Sequence, residues 1–407
     1  MNYEEAYEKL KKYGQLHVLE YYDGLPEEKK AALLGQIEGL DFSILQYCKE
    51  NTTNQKGEIA PLAAMQLPEI EKKKEEYTKI GIEEIRQGKV AAVLLAGGMG
   101  TRLGSDHPKG MYDIGLTRPV YIFQRIIENM LDVVRQAEGW VRLFVMTSDK
   151  NHDVTVEFFE KKKYFGYNKD YVSFFIQDVV PASDYEGKVY MEEQWKISTS
   201  PNGNGGWFSS MNKCGLLDVI RKDGIEWINV FAVDNVLQRI ADPCFVGAVI
   251  ANGCVAGAKV VKKNSPDERV GALCLEDGRP SIVEYYELTD EMKAAKDENG
   301  NPAYDFGVIL NYIFRTKELE EIMDRQLPLH VVEKQIPYMD EKGEHVEPET
   351  PNGYKYETLV LDMIHQVDNC LAYEVDRHKE FAPIKNATGI DSVETARELC
   401  KENGIAL

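Results

Sequence analysis

The unbroken apolar run Val90-Ala91-Ala92-Val93-Leu94-Leu95-Ala96, cut off by Gly97-Gly98-Met99-Gly100-Thr101-Arg102-Leu103-Gly104, constrains this chain more than any other feature. Small and branched side chains at every position fit a parallel strand covered on both faces. A half-exposed strand or an amphipathic helix would need a polar stripe that the run lacks. Parallel strands need crossovers, and the chain supplies them. Pro119 to Ala137 alternates at helical period, Trp140 to Thr147 is a second apolar run, and Asn151 to Lys162 reads as a helix. Tyr171 to Ile176 and Ile225 to Val233 are further strands. Strands alternating with helices predict an α/β sheet with right-handed crossovers. From Ala256 to Glu287 the pattern shortens to strands with turns at Asn264-Ser265-Pro266 and Asp277-Gly278. Helices over Tyr356 to Val367 and Val393 to Asn403 are expected to close the chain.

Residues 1–85 read differently. Tyr3, Ala6, Tyr7, Leu10 and Tyr13 recur at helical spacing, and Leu25-Pro26-Glu27-Glu28 has the proline and acids of a helix start. Glu71 to Gln87 is a charged helix that Gly81 weakens. The expected division is a helical segment at 1–85, a main domain at 86–390 and a helical tail at 391–407, within the 407 residues of the chain.

Composition narrows the ligand. With 43% hydrophobic residues a sizeable core is available, and a formal net charge of −20 repels a nucleic-acid backbone. A phosphorylated ligand would therefore need local positive partners. Seven cysteines without a C-x-x-C pair read as reduced thiols, and seven dispersed histidines disfavour zinc. No apolar run reaches the roughly 18 to 20 residues of a membrane helix. Met1-Asn2-Tyr3-Glu4-Glu5 lacks a signal pattern, so a cytoplasmic location without a membrane partner is expected.

The glycine loop sits where open α/β sheets bind ligands, at the carboxyl end of a strand. Glycines let backbone N–H groups approach phosphate oxygens, and Arg102 adds a planar cation able to clamp two of them. Lys109 follows on a rigid turn after Pro108. A tight turn rich in glycine for packing alone is the simpler alternative. The string is not a Walker loop, which needs Gly-Lys-Ser/Thr after four spacers. Nor is it the dinucleotide fingerprint, because Leu103 stands at the last glycine position.

Leu94 to Gly115, reading LLAGGMGTRLGSDHPKGMYDIG, resembles the signature of the UDP-N-acetylhexosamine pyrophosphorylase branch of the uridylyltransferase family. The likeness continues in order through Tyr164-Phe165-Gly166, Gln177 with Pro181-Ala182, and Pro201-Asn202-Gly203-Asn204-Gly205-Gly206. It then runs through Val233-Asp234-Asn235, Gly257-Ala258-Lys259-Val260-Val261, Val270-Gly271, Val283-Glu284-Tyr285 and Pro383-Ile384-Lys385-Asn386-Ala387. The resemblance implies a Rossmann-like nucleotidyltransferase core on a mixed, mainly parallel sheet. It implies a UTP:sugar-1-phosphate uridylyltransferase releasing a UDP-sugar, above all UDP-N-acetylglucosamine, and pyrophosphate.

It also implies roles. Leu95, Ala96, Gly97, Gly98, Gly100 and Thr101 would cradle the nucleotide, with Gln177 reading the uracil edge and Gly203 lying against the ring. Arg102 and Lys109 would hold the triphosphate and Lys385 the incoming phosphate. Asn204, Gly271, Glu284 and the position of Val308 would meet the sugar. Asp234 ends a strand run, where an acid suits Mg²⁺, with Mn²⁺ as a substitute; the resemblance assigns it the catalytic magnesium. Each has a plainer alternative: Asp234 as a helix cap or turn acid, Gly203 to Gly206 as a hairpin loop, Gly271 as a turn glycine, Glu284 and Lys385 as exposed charges. The reaction itself needs no side-chain nucleophile, since the attacking phosphate is already ionised.

Two departures matter. Where the acetylhexosamine enzymes carry Asn-Ala-Gly-Asn, this chain reads Asp305-Phe306-Gly307-Val308, and Val308 offers no hydrogen bond. A sugar polar group left facing it would lose roughly 1–3 kcal/mol. UDP-glucose or broad UDP-sugar synthesis is therefore the alternative product. The chain also stops soon after Lys385, so the β-rich C-terminal domain of larger relatives is expected to be absent. From another class, a catalytically inactive nucleotide-sugar sensor would keep the loop without needing Asp234. A nicotinamide dinucleotide oxidoreductase is disfavoured by the broken fingerprint.

Overall fold

The residues of Val90–Leu95 are all buried, as an apolar run without a polar face requires. In the computed structural model, which describes residues 1–48, 56–298, 300–323, 325 and 327–407, this strand lies inside a ten-stranded mixed sheet. The strands are β1 (Ile59–Pro61), β2 (Val90–Leu95), β3 (Arg142–Thr147), β4 (Val172–Ile176) and β5 (Trp227–Ala232). They continue with β6 (Ala256–Lys262), β7 (Ala272–Glu276), β8 (Arg279–Val283), β9 (Phe306–Arg315) and β10 (Cys370–Glu374). The main path runs β1-β7-β9-β5-β2-β3-β4, with β6 joining β9 to β10 and β8 hairpinned to β7. The run β5-β2-β3-β4 is parallel throughout, whereas β9 lies antiparallel to β5, β6 and β7.

This order has a functional consequence. From β2 the chain moves outward through β3 and β4, then returns to place β5 on the other side of β2. The connections after β2 and β5 therefore leave the sheet in opposite directions, which opens a crevice at their carboxyl ends. Helices Ile122–Ala137 and Pro243–Ala251 present apolar residues such as Phe123, Ile127, Met130, Phe245 and Val249 to the core.

The helix expected over Glu71 to Gln87 is Leu67–Arg86, longer than the charge pattern indicated, with Gly81 inside it. The reason for that glycine is tertiary. A Cβ on Gly81 would lie 1.9 Å from the Pro243 carbonyl oxygen, and one on Gly247 would lie 1.8 Å from that of Tyr77. The two helices approach so closely that neither position accepts a side chain. A local propensity cost near 1 kcal/mol is set against packing along a helix pair.

The contacts divide the chain into two compact units. The larger comprises Lys56–Gln177, Trp207–Gln326 and Leu361–Leu407 and holds the whole sheet. The smaller comprises Met1–Gln55, Asp178–Gly206 and Leu327–Val360. Within it, helix Tyr3–Lys12 begins with a capping box between Asn2 and Glu5, and helix Glu27–Gly39 follows Pro26. Leu10, Leu33, Ile37 and Phe42 share a core with Val189, Ile197 and Tyr356. Gln15 ties the N-terminal part to a distant loop, donating to the Gly187 carbonyl at 2.8 Å and accepting from the Val189 N–H at 2.9 Å.

These units cross the linear boundaries read from periodicity. Of residues 1–85, the first part belongs to the smaller unit, while β1 and Leu67–Arg86 belong to the larger. Helix Val393–Glu402 contributes Val393, Ala396 and Cys400 to the main core and is no separate tail. Tyr356, expected to open a helix, lies in the strand Gly353–Glu357, and the helix begins at Val360. The long strand β9 and the strand β10 carry no alternating pattern and were not anticipated. The described cysteines Cys214, Cys244, Cys254, Cys274, Cys370 and Cys400 are free thiols; the side chain of Cys48 lies outside the described ones.

Candidate active site

The loop after β2 folds back on the turn that follows it. The Gly100 N–H donates to the His107 carbonyl at 2.8 Å, and the Lys109 N–H to the Gly98 carbonyl at 3.1 Å, around a bridge between Met99 and Pro108. A short ladder thus fixes Lys109 beside the glycines. Thr101–Leu103 forms one 3-10 turn between them, carrying an exposed Arg102, and ends on Gly104 at φ 72. Gly98 and Thr101 are exposed, whereas Leu95 and Ala96 are buried.

Lys109 is braced from behind. A Cβ on Gly110 would fall 2.2 Å from the Phe123 ring, so the ring occupies the place of a side chain. Phe123 packs on Phe159, which also meets Tyr164, Phe165 and Phe174. Lys163, Tyr164, Phe165 and Gly166 all have positive φ, a left-handed turn that costs about 1–2 kcal/mol for each non-glycine residue. The rings of Tyr164 and Phe165 therefore back the glycine loop through Phe159 and Phe123, while Gly166 is exposed.

The ends of β3 and β4 add the other wall. Asn151, missed from sequence, is 1% exposed; it donates to the Ala96 carbonyl at 3.0 Å and accepts from the Ser148 N–H at 2.8 Å. Its signal was a lone Asn three residues after Ser148, which resembles any turn. Gln177 follows β4, donates its N–H to the Thr147 carbonyl at 2.7 Å, and is buried. Its Oε1 lies 3.0 Å from where a Cβ on Gly97 would sit, so the carboxamide and the glycine loop touch.

Asp234 leaves β5 next door, where the Val233 N–H donates to the Leu95 carbonyl at 3.3 Å. Its Oδ2 stands 3.6 Å from the Lys109 Nζ. It is not a helix cap: Asp242 caps helix Pro243–Ala251. The Asp234 carbonyl accepts from the Ile384 N–H at 2.9 Å, and Asn235 bridges to Pro383, which brings Lys385 to the same place. Lys385 Nζ donates to Asp391 Oδ2 at 3.1 Å, so it is held and not merely solvated. Burial holds the Lys109 ammonium below the ordinary lysine value; Asp234 pulls it back up, and Lys385 and Arg102 push it down. Three cations and two carboxylates, Asp234 and Asp391, thus gather at the carboxyl edge of the sheet in a protein of strongly negative net charge.

A second group lies where β7, β8 and β9 meet. The Val308 N–H donates to the Gly271 carbonyl at 2.9 Å, and a Cβ on Gly271 would come 3.5 Å from Glu284 Oε1. Gly271, Glu284 and Val308 are therefore neighbours, although far apart in sequence. Gly203 and Asn204 belong to the smaller unit. Gly203, at φ 86, would drive a Cβ to 2.2 Å from the Thr358 carbonyl oxygen. Asn204 opens a 3-10 turn, not a hairpin, and its Oδ1 accepts from the Val360 N–H at 2.9 Å.

Among the described residues no group of three His, Cys, Asp or Glu side chains could cage a metal. Mg²⁺ does not require one: it is commonly held by one or two carboxylates, with substrate phosphates and water as the remaining ligands. Asp234 beside a phosphate-type loop fits that donor set, and a thiol- or imidazole-seeking metal has no such fit. No described helix is long and apolar enough to cross a membrane.

Comparison with known proteins places the chain in a family. Residues 42–402 match the family model described as UTP–glucose-1-phosphate uridylyltransferase. The UDP-N-acetylglucosamine pyrophosphorylase of Saccharomyces cerevisiae is 34% identical over 414 residues, spanning 94% of this chain and 86% of the relative. UDP-N-acetylhexosamine pyrophosphorylase-like protein 1 of Homo sapiens is 35% identical over 416 residues, spanning 96% and 82%. The crystal structure of the uridine diphosphate N-acetylglucosamine pyrophosphorylase of Trypanosoma brucei superimposes with a TM-score of 0.84 at 28% identity, covering 96% of this chain and 83% of that one.

Proposed function

This chain belongs to the UTP–glucose-1-phosphate uridylyltransferase family, and from that premise we propose that it transfers uridylyl from UTP to a sugar 1-phosphate, foremost N-acetylglucosamine 1-phosphate. A phosphate oxygen of the sugar phosphate attacks the α-phosphorus of UTP. The bond from that phosphorus to the bridging oxygen breaks, and pyrophosphate leaves with the electron pair. Both reactants are anionic, so the protein's task is to neutralise repulsion and hold the line of attack. The observation that carries the reading is the gathering of Lys109, Asp234, Lys385 and Arg102 at the carboxyl ends of β2 and β5.

In this reading the glycine loop, Arg102 and the neighbouring Lys109 bind the triphosphate. Lys385 receives the incoming phosphate, while Gln177 selects uracil. Gly271 and Glu284 orient the sugar. Asp234 is the protein's ligand to Mg²⁺, which when bound supplies charge neutralisation to the phosphates. A second reading rests on Val308. Its side chain is half-buried and apolar beside Gly271, which supports a pocket open to plain hexose phosphates as well. A panel of sugar 1-phosphates incubated with UTP and Mg²⁺, followed by pyrophosphate release, tests both. Turnover with N-acetylglucosamine 1-phosphate supports the first and comparable turnover with glucose 1-phosphate the second. No release with any sugar would leave the sensor.

A further inference from the structure

Lys259 is a fully buried lysine on β6, inside the string Gly257 to Val261, and no step of the reaction uses it. Its Nζ donates to Glu380 Oε2 at 2.6 Å, to the Arg239 carbonyl at 3.0 Å and to Asp242 Oδ2 at 3.3 Å. An ammonium has three protons, and all three are used. The partners come from three places: the loop after Asp234, the start of helix Pro243–Ala251, and the segment leading into Lys385.

The arrangement continues towards the site. The Glu380 carbonyl accepts from Asn235 Nδ2 at 2.7 Å, and Asn235 Oδ1 accepts from the Ala382 N–H at 2.9 Å. Next, the Val236 N–H donates to the Ala382 carbonyl and the Ile384 N–H to the Asp234 carbonyl. Residues 380–384 are thereby laced to 234–236, so Asp234 and Lys385 are carried on two paired segments with Lys259 anchoring one end. The Arg239 carbonyl is also approached by Asn311 Nδ2 at 3.5 Å. Lys259 itself stands where the β6–β9 register shifts between Ala258 and Val260, opposite Leu310 at φ 52. Lys259 still pairs with Tyr373 of β10, and its side chain reaches those carboxylates from within the sheet.

We infer that Lys259, acting through Glu380, is a positioning residue that sets Lys385 and Asp234 in register with each other for uridylyl transfer. The inference rests on the proposed role of Lys385 at the incoming phosphate. A misplacement of about 1 Å in such a group costs on the order of a hundredfold in rate.

Lys259→Met alone leaves two carboxylates facing each other, so the decisive protein is Lys259→Met/Glu380→Gln. This pair of changes removes one charge of each sign and leaves Asp242 with Arg239. Pyrophosphate release is measured with UTP, Mg²⁺ and N-acetylglucosamine 1-phosphate, alone and combined with Lys385→Ala. The expected result is a folded enzyme whose kcat falls at least about tenfold with KM for UTP little changed. Lys385→Ala should then cost much less in that background than in the unmodified enzyme, because the two act on one geometry. Unchanged kcat in the paired variant, or losses that multiply in full, would overturn the inference and leave the role of Lys385 standing. Unchanged kcat in Lys385→Ala alone would remove that role and the inference with it.

Discussion

The carboxyl edge of β2 and β5 and the junction of β7, β8 and β9 are both built from glycines and a few polar side chains, but they are held in different ways. At the first, Gly97 to Lys109 is nearly consecutive, laddered to itself, and backed by buried aromatics. At the second, Gly271 just before β7, Glu284 just after β8 and Val308 in β9 meet through one backbone hydrogen bond and a close approach. The first must present charge to phosphates with little freedom, since electrostatic preorganisation is the main catalytic term. The second needs only a shape and a few hydrogen bonds. In the proposed reading, the phosphate chemistry rests on many mutually supporting contacts and the choice of sugar on few.

The largest expected effect tests the first region. Asp234→Asn keeps the size and removes the charge, so turnover should fall about 10²–10³-fold with the melting temperature little changed. EDTA should abolish the activity of the unmodified enzyme and Mg²⁺ restore it; full activity in EDTA would sink the metal assignment. Lys109→Ala and Arg102→Ala come next, each with at least about tenfold lower kcat/KM and an intact fold. Lys109, half-buried against Asp234, should lose more than exposed Arg102. Equal activity to the unmodified enzyme in either variant takes that residue out of the site.

A pair of glycine substitutions sharpens the comparison directly. Gly110→Ala forces a methyl into the Phe123 ring and should destabilise by about 1–3 kcal/mol in a denaturant titration. Gly271→Ala meets Ile282 Cγ2 at 2.9 Å, a milder overlap than the 2.2 Å at the Phe123 ring, and should cost less. The opposite order would mean that the sugar junction is the stiffer region. The smallest effect is at Val308. Val308→Asn should shift the ratio of kcat/KM towards N-acetylglucosamine 1-phosphate over glucose 1-phosphate by about fivefold, near 1 kcal/mol for one hydrogen bond. A roughly thousandfold preference in the unmodified enzyme would show that Val308 does not set the choice.

Much of the first region could be read without coordinates. An apolar run and a glycine string are local, and local patterns survive in a linear text. Asp234 was legible because it ends a strand run. Lys385 was legible only through its resemblance to a family, since a lone lysine near a chain end carries no pattern. Asn151 and Lys259 stand in stretches the sequence marks, one opening a helix and one in a matched string, but it gives neither a role, because a buried polar residue declares its function only through partners far away in sequence. Gly81 was misread as a weak point because its value lies in the helix it touches.

By itself, then, the sequence determined the α/β class, the glycine loop that follows the first buried parallel strand, and the family. Tertiary structure alone decided that β5 returns beside β2 to set Asp234 against Lys109, and that 380–385 lies along 234–236. It also decided that the N-terminal segment is shared between two compact units. The physical reason is the range of the forces involved. Periodicity and turn chemistry act over a few residues, whereas strand order and the burial of a charge depend on which distant surfaces exclude water together.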